Sequence, residues 1–506
     1  MTSAMRVAVV GGGIAGLSAA YHLQEDARSA GIPLDCTLIE RDTRLGGKVV
    51  TGHVDGFNVE GGPDSFLTQK PWGIELCKRI GLQDRLIGTN DASKQVWVLW
   101  KGKLRKLPDG VLLVVPTRFQ PFVFSNLITP WGKLRMGMDL VIPARRDDSD
   151  ESVANFIRRR LGSEALDKIA EPLMGGVHVS DPERQSLLAA FPRFATIEKK
   201  YGSLVRGMVA GRRAHPPTGK SLPPFMTLRG GLDELPSTLA AKLDTTRVLL
   251  GRTVDAIHQT AVPSDHTSPA MAGRSGGSDG GHPLGRPLAG GPYHLVLDDG
   301  SRLEVDAVVL ATPARDAANL VDGFAPALAA KLRTIRYVST ATVSFGYRRG
   351  AISHPLKGFG FVIPRKEHRK ITGCTWSSTK FDNRAPADSV LIRCFLGGAT
   401  DETPALAPED VMVRYAREEV RSLMGITAEP VLTQVYRWRN GHPQYDVGHL
   451  DLLAQIDALC AAQPGLALAG SSYRGIGLPD CIHSGALAAQ TVLATTIAAA
   501  VGAGRP

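Results

Sequence analysis

Three glycines stand first among the residues whose spacing could do chemistry. Gly11, Gly13 and Gly16 belong to the turn Gly11-Gly12-Gly13-Ile14-Ala15-Gly16, a G-x-G-x-x-G pattern. Such a turn binds phosphate only where a strand feeds it and a helix leaves it. Here the β-branched run 6–10 (RVAVV) precedes it, and 17–23 reads as a helix. In that setting Gly11 permits a tight turn, Gly13 lets the backbone approach a pyrophosphate, and Gly16 lets the helix lie against the strand. The unpaired N–H groups of the helix start favour the phosphates. A second strand at 36–39 ends in Glu40, 24 residues after Gly16, where a carboxylate meets ribose hydroxyls and repels the extra phosphate of NADP. Strand, helix, strand and acid in register predict a dinucleotide site.

The residues after Glu40 point to FAD rather than NAD. Residues 41–48 read RDTRLGGK, and Gly46-Gly47 with Lys48 resembles the R-x-G-G element that comes after the ribose acid in flavin amine oxidases. A second glycine-rich segment, VEGGPDS at 59–65, comes close behind. The six cysteines (36, 77, 374, 394, 460 and 481) form no CxxC pair, and no Cys/His cluster has zinc spacing, so no metal is expected.

The elements that must position these residues fill a long chain. Its 506 residues exceed the roughly 250–300 at which one core stops growing, so two or three domains are expected. A hydrophobic share of 43% with 21% charged residues excludes a fibre or wholesale disorder. The apolar run at 7–10 serves better as a strand than as a leader, which predicts a cytoplasmic protein with reduced thiols. The net charge of +10 suits solubility, an anionic small substrate or an anionic membrane face. Nucleic acid is not expected, because no basic run is interleaved with aromatics.

Along the chain, 70–87 reads as a helix ended by Gly81, and 95–107 as a hairpin around Lys101-Gly102-Lys103. The apolar segment 111–128 is broken by Pro116 and Pro121, so it is no straight spanning helix. It reads either as a buried loop and helix lining a pocket or as a surface dipping into one leaflet. Residues 149–191 are helical, with Ser149 or Ser152 as the first cap. A strand, glycine turn and helix fit 226–244, and 247–257 is a strand carrying Val254. The Gly/Ser/Pro/His-rich stretch 261–292 reads as a disordered loop inside a β-hairpin. Further strands are expected at 307–312, 341–347, 360–363, 371–376 and 390–396, and an amphipathic helix at 409–424. A strand at 466–469, a glycine turn at 475–478 and a small-residue helix at 484–499 close the chain. A nucleotide-binding fold completed at its C-terminus is discontinuous, so the intervening segments form inserted domains.

Six segments together resemble the protoporphyrinogen oxidases and their bacterial coproporphyrinogen III oxidase relatives. They are VVGGGIAGLSAAYHL at 9–23, GGPDSFL at 61–67, EPLMGGVHVSDPERQSLLAAFPRF at 171–194, RGGLDELP at 229–236, WRNGHPQYDVGH at 438–449 and GIGLPDCIHSG at 475–485. The resemblance implies an α/β protein: a discontinuous Rossmann-like FAD-binding domain at 1–89, 226–320 and 463–506, a β-rich substrate domain at 90–105, 206–225 and 321–462, and a helical, membrane-associating domain at 106–205. It implies non-covalent FAD held by Gly11, Gly12, Gly13, Ile14, Ala15, Gly16, Glu40, Arg41, Lys48, Gly61, Gly62, Pro63, Asp64, Val254, Trp438, Ile476, Gly477 and Leu478. It implies six-electron oxidation of a porphyrinogen in haem biosynthesis, with O2 as acceptor and H2O2 as product. GPDS at 62–65 resembles the bacterial form. Since Asp64 cannot hold a propionate, Lys70 and Arg193 are the candidate anchors. Val177 matches a pocket position, and Phe359, Phe361 and Trp376 are candidate walls.

No side-chain acid or base is nominated, because the cofactor carries the redox work and the protein orients the substrate. Coproporphyrinogen III, with four carboxylates, and protoporphyrinogen IX, with two, stay open, as do a homodimer and peripheral contact with the inner membrane face. The rival readings are another oxidase or desaturase of the same fold and a non-catalytic binding protein that keeps the fold.

Overall fold

The computed structural model describes residues 4–90, 94–108, 111–112, 115–116, 124–214, 222–260 and 293–502, and side chains at all of these except 111–112, 115–116, 176–178, 212–214 and 495–502. The expected loop at 261–292 therefore lies outside the described residues.

The chain is an α/β protein with two principal sheets. Met5–Val10 pairs in parallel with Leu34–Glu40 on one side and Ala307–Leu310 on the other. Thr246–Leu250 and Leu466–Leu468 add the outer strands of this five-stranded sheet. Its strands read as near-continuous apolar runs because both faces are covered. Val7, Val9 and Leu38 enter one core, where helices Ile14–Ala30 and Leu478–Gly502 cross. Ala8, Val10 and Ile39 enter the other, under helices Ala314–Val321, Pro326–Arg333 and His449–Ala461. The helix crossing is close: Ser18 Oγ donates to Ile482 O at 2.7 Å, and a Cβ on Gly485 would lie 2.2 Å from Ala15 O.

The second sheet has seven strands, in the order Leu432–Pro443, Tyr337–Arg348, Ser389–Gly397, Gly373–Thr375, Gly360–Val362, Val96–Trp100 and Lys103–Lys106. Only Gly360–Val362 and Val96–Trp100 pair in parallel. The hairpin turn Lys101-Gly102 has φ of +53° and +69°, the left-handed pair that suits the strand twist. Helix Glu409–Met424 covers one face, with Met412, Ala416 and Val420 buried.

Helices Val153–Leu161, Glu171–His178, Pro192–Tyr201 and Leu204–Ala214 build the third region. Ser152, not Ser149, caps the first, its Oγ accepting from Asn155 N at 3.1 Å. The fully buried Arg160 donates Nε to Asp139 at 2.6 Å, and Asp139 in turn accepts from Ser203 Oγ and Val205 N. One carboxylate thus ties three stretches of the helical region.

Candidate active site

At the end of Met5–Val10 the chain turns at Gly11, φ +104°, whose N–H donates to Ile39 O at 2.8 Å. A Cβ on Gly16 would lie 1.8 Å from Gly11 O, so only glycine lets the helix lie that close. Gly13 differs: a Cβ there would meet nothing within 4 Å. It caps helix Ile14–Ala30 without a side-chain bond, and no acidic residue occupies the first turn. Open space therefore lies above the positive end of a helix dipole. Ile14 and Ala15 point into the core. Glu40 accepts from Gly12 N at 2.5 Å and Asp42 N at 2.9 Å, holding the turn from below. Arg41 is exposed, 3.9 Å from Asp316. Gly46 N donates to Gly12 O at 2.9 Å, bringing the R-x-G-G element against the phosphate loop.

The next glycine turn lies against this loop, where a Cβ on Gly47 would sit 3.1 Å from Gly13 Cα. Among the described residues the Lys48 ammonium donates to the carbonyl of Gly441 alone. Burial lowers its affinity for a proton, and its charged surroundings offer no carboxylate. The turn Gly61–Gly62 lies between rigid walls: a Cβ on Gly62 would sit 1.8 Å from Lys48 O, and one on Gly61 2.6 Å from the Tyr436 ring. Trp438 Nε1 donates to Gly61 O at 2.8 Å, and Arg393 Nη2 to Gly61 O at 3.1 Å and Gly62 O at 2.7 Å. Burial alone would raise the Asp64 carboxyl, but Lys380 at 2.8 Å prevails and holds it at about 2. His442 meets Thr340 Oγ1 at 2.9 Å, and burial, with Lys48 nearby, pushes its imidazole down to about 3. It is neutral at physiological pH. Pro63, Ile476 and Gly477 are half-buried, while Leu478 and Val254 are buried.

Lys70 stands at the start of the C-terminal helix, its Nζ 2.6 Å from both oxygens of Asp480. Arg193 is exposed on Pro192–Tyr201. Phe361 and Trp376 lie in the core of the seven-stranded sheet, and Phe359 is half-buried beside them. Val177 falls in helix Glu171–His178, but its side chain is outside those described. That helix walls a cavity of about 640 Å³ whose other side is the stretch from Ile363 to Thr372 and the turn at Gly397-Gly398. Glu171 lines it, and burial pushes its carboxyl up to about 7.

Sequence reading passed over Arg393, Lys380, Tyr436 and His442. A lone arginine in the apolar strand SVLIRCFLG was a usable signal for Arg393, because buried charge needs a reason. Lys380, in the polar run SSTKF, carried none.

These residues fit a dinucleotide with a polar ring system. Open space sits over the helix start at Gly13, and among the described residues neither the half-buried Lys48 nor the buried Arg393 makes a direct salt bridge. The family model for flavin-containing amine oxidoreductases matches residues 14–493. The coproporphyrinogen III oxidase of Bacillus subtilis is 33% identical over 96% of this chain and 97% of its own. Protoporphyrinogen oxidase 2 of Arabidopsis thaliana is 26% identical over 97% and 94%. A solved structure from Exiguobacterium sp. 255-15 superposes with a TM-score of 0.81 at 31% identity, covering 97% of this chain and 99% of that one.

Proposed function

The chain belongs to the flavin-containing amine oxidoreductases and, within them, to the coproporphyrinogen III and protoporphyrinogen oxidases, and from that premise we propose that it oxidises coproporphyrinogen III to coproporphyrin III. Six electrons and six protons leave the macrocycle, and three O2 become three H2O2. The observation that carries this reading is the 33–35% identity to the coproporphyrinogen III oxidases of B. subtilis, Propionibacterium freudenreichii and Staphylococcus aureus along nearly all of both chains, against 26–29% for the plant protoporphyrinogen oxidases, a range that the mycobacterial coproporphyrinogen III oxidases share at 29%. The net charge of +10 agrees with a substrate bearing four carboxylates rather than two.

FAD bound here without a covalent link would supply the hydride-accepting and O2-reactive chemistry. The turn at Gly11–Gly16 and the helix behind it would hold the pyrophosphate, and Glu40 would take the ribose hydroxyls. Lys48 offsets negative charge, and Gly61–Asp64, Trp438 and Ile476–Leu478 seat the ring. The protein's remaining work is orientation and exclusion of water, and no acid or base is assigned. Lys70, 43% exposed at the cleft mouth, exchanges Asp480 for a substrate propionate.

Parallel steady-state assays tracking porphyrin fluorescence test the reading. The expected kcat/KM is at least tenfold higher for coproporphyrinogen III than for protoporphyrinogen IX. Equal or reversed values overturn the preference, and no porphyrin from either substrate overturns the oxidase reading.

One surface favours a second property, contact with the inner face of a membrane. Phe124, Trp131, Leu134 and Val141 are 78%, 79%, 61% and 76% exposed around helix Pro130–Gly137, an apolar cluster larger than scattered surface residues explain. No helix among the described residues is long and apolar enough to cross a membrane, so the contact is peripheral. Co-sedimentation with phosphatidylglycerol vesicles, lost in Trp131→Glu/Leu134→Glu, is the expected result. A wild-type dimer that the same changes make monomeric, with no vesicle binding, assigns the patch to a subunit interface instead.

A further inference from the structure

Strand Ser389–Gly397 carries one charged side chain, and it is out of water: Arg393 is 4% exposed. A buried charge is costly unless paired, yet the nearby carboxylate Asp64 is already engaged by Lys380 at 2.8 Å. The guanidinium instead donates Nη2 to the carbonyls of Gly61 and Gly62, lies 5.0 Å from the centre of the Phe395 ring, and leaves Nε without a partner. Its direct contacts are dipoles and a ring face; the Asp64 and Glu60 carboxylates act on it only through space, since Asp64 is held by Lys380 and Glu60 lies 3.5 Å from Arg384. The positive charge therefore acts on the peptide it touches and on what lies beyond.

That peptide is unusually placed. Its oxygen, Gly61 O, also accepts from Trp438 Nε1. An amide whose oxygen takes two donors, one of them charged, becomes a stronger donor through its own N–H. Here the N–H belongs to Gly62, and among the described residues it donates to no protein group. The turn cannot swing away, because Lys48 O and the Tyr436 ring leave no room for a Cβ on either glycine.

Building on the flavin reading of this cleft, we propose that Arg393 is a positioning residue that fixes the Gly61–Gly62 peptide, polarises the Gly62 N–H toward the flavin ring and thereby favours the reduced, more negative cofactor. A tie between domains with no electrostatic consequence would hold the turn equally well, so the test reads the cofactor's electron affinity rather than turnover.

Full-length wild type, Arg393→Met and Arg393→Lys are each equilibrated anaerobically with a reference dye of fixed potential, and the ratio of reduced to oxidised flavin is read from the spectrum. Arg393→Met is expected to retain FAD while its ratio at the same dye poise falls at least tenfold. Arg393→Lys, which keeps the charge but not the fork, is expected to recover most of that loss. Trp438→Phe removes the neutral donor from the same oxygen and should shift the ratio less, in the same direction; it stands in should the Met variant not fold. A ratio within twofold of wild type in Arg393→Met, or an unchanged or raised ratio in Trp438→Phe where the Met variant does not fold, overturns the proposal while leaving the flavin reading intact. A colourless wild-type protein overturns both.

Discussion

Gly13 and Gly16 lie three positions apart under opposite constraints. A Cβ on Gly16 collides with Gly11 O at 1.8 Å, whereas one on Gly13 meets no protein atom within 4 Å. Gly16→Val should therefore fail to fold, and Gly13→Val should fold normally yet lose FAD, because its side chain enters the space kept for pyrophosphate. Flavin per mole of soluble protein checks this: full occupancy in Gly13→Val would show the site to be elsewhere. Glu40→Ala should fall between the two. It removes the ribose partner and frees Gly12 N and Asp42 N, a loss of about 1–3 kcal/mol for donors left unsatisfied. The glycine spacing and Glu40 were legible because the turn is built largely from local contacts, Glu40 and Gly46 on Gly12, although Gly11 also lies against Ala311. Lys380 and Arg393 were not, since their partners at Asp64, Gly61 and Gly62 lie more than three hundred residues away.

Among the elements, the hairpin around 261–292 permits a clean test. Gln259 and Tyr293 are paired across adjacent antiparallel strands, so a short turn can join them directly. Deleting 264–291 should leave activity within twofold and Tm within about 2 °C, because long loops cost little to close or remove. Insoluble or inactive protein would show that the segment binds something. Helix Glu171–His178 makes a pH prediction. Burial lifts the Glu171 carboxyl to about 7 from an ordinary 4.5, against the Arg365 N–H that donates to it at 3.2 Å. The native state thus holds more protons than the unfolded chain between those values. Its stabilising term is complete below 4.5 and lost as pH rises through 7. Glu171→Gln, neutral throughout, should be more stable than wild type at pH 8 by on the order of 1–3 kcal/mol, with the gap closing toward pH 5. Denaturant titrations at the two pH values measure it, and an unchanged gap would mean that the carboxyl is not the titrating group. Periodicity predicted helix 409–424 at its observed bounds, Glu409–Met424. It passed over strand Leu432–Pro443, whose LTQVYRWRNGHP lacks an apolar alternation because it lies at the sheet edge and is mostly half-buried.

At the scale of the molecule, the five-stranded sheet gathers strands from 5–40, 246–250, 307–310 and 466–468. The proposed dinucleotide site draws on the first of these stretches, on the turn at Gly61 and on the start of the C-terminal helix. FAD bridging them should stabilise the fold by mass action, by about 2.7 kcal/mol at a hundredfold excess over Kd. Flavin-stripped protein should melt several degrees lower and recover on adding FAD. Acid precipitation should leave the flavin in the supernatant. Flavin remaining in the pellet would refute non-covalent binding, and a Tm indifferent to added FAD would place the cofactor outside this junction.

By itself the sequence determined the dinucleotide unit, the α/β class and the discontinuous order of segments. Each of these depends on short-range spacing, periodicity or the order of motifs, which a linear chain displays. The tertiary structure alone decided which cations face the cleft. It placed Lys70 on Asp480 and set Lys380 against Asp64. It buried Trp376 in the sheet core and brought Arg393 beneath the Gly61–Gly62 turn. The charge on a side chain is written in the sequence, but its partner and its distance from water depend on which strands become neighbours.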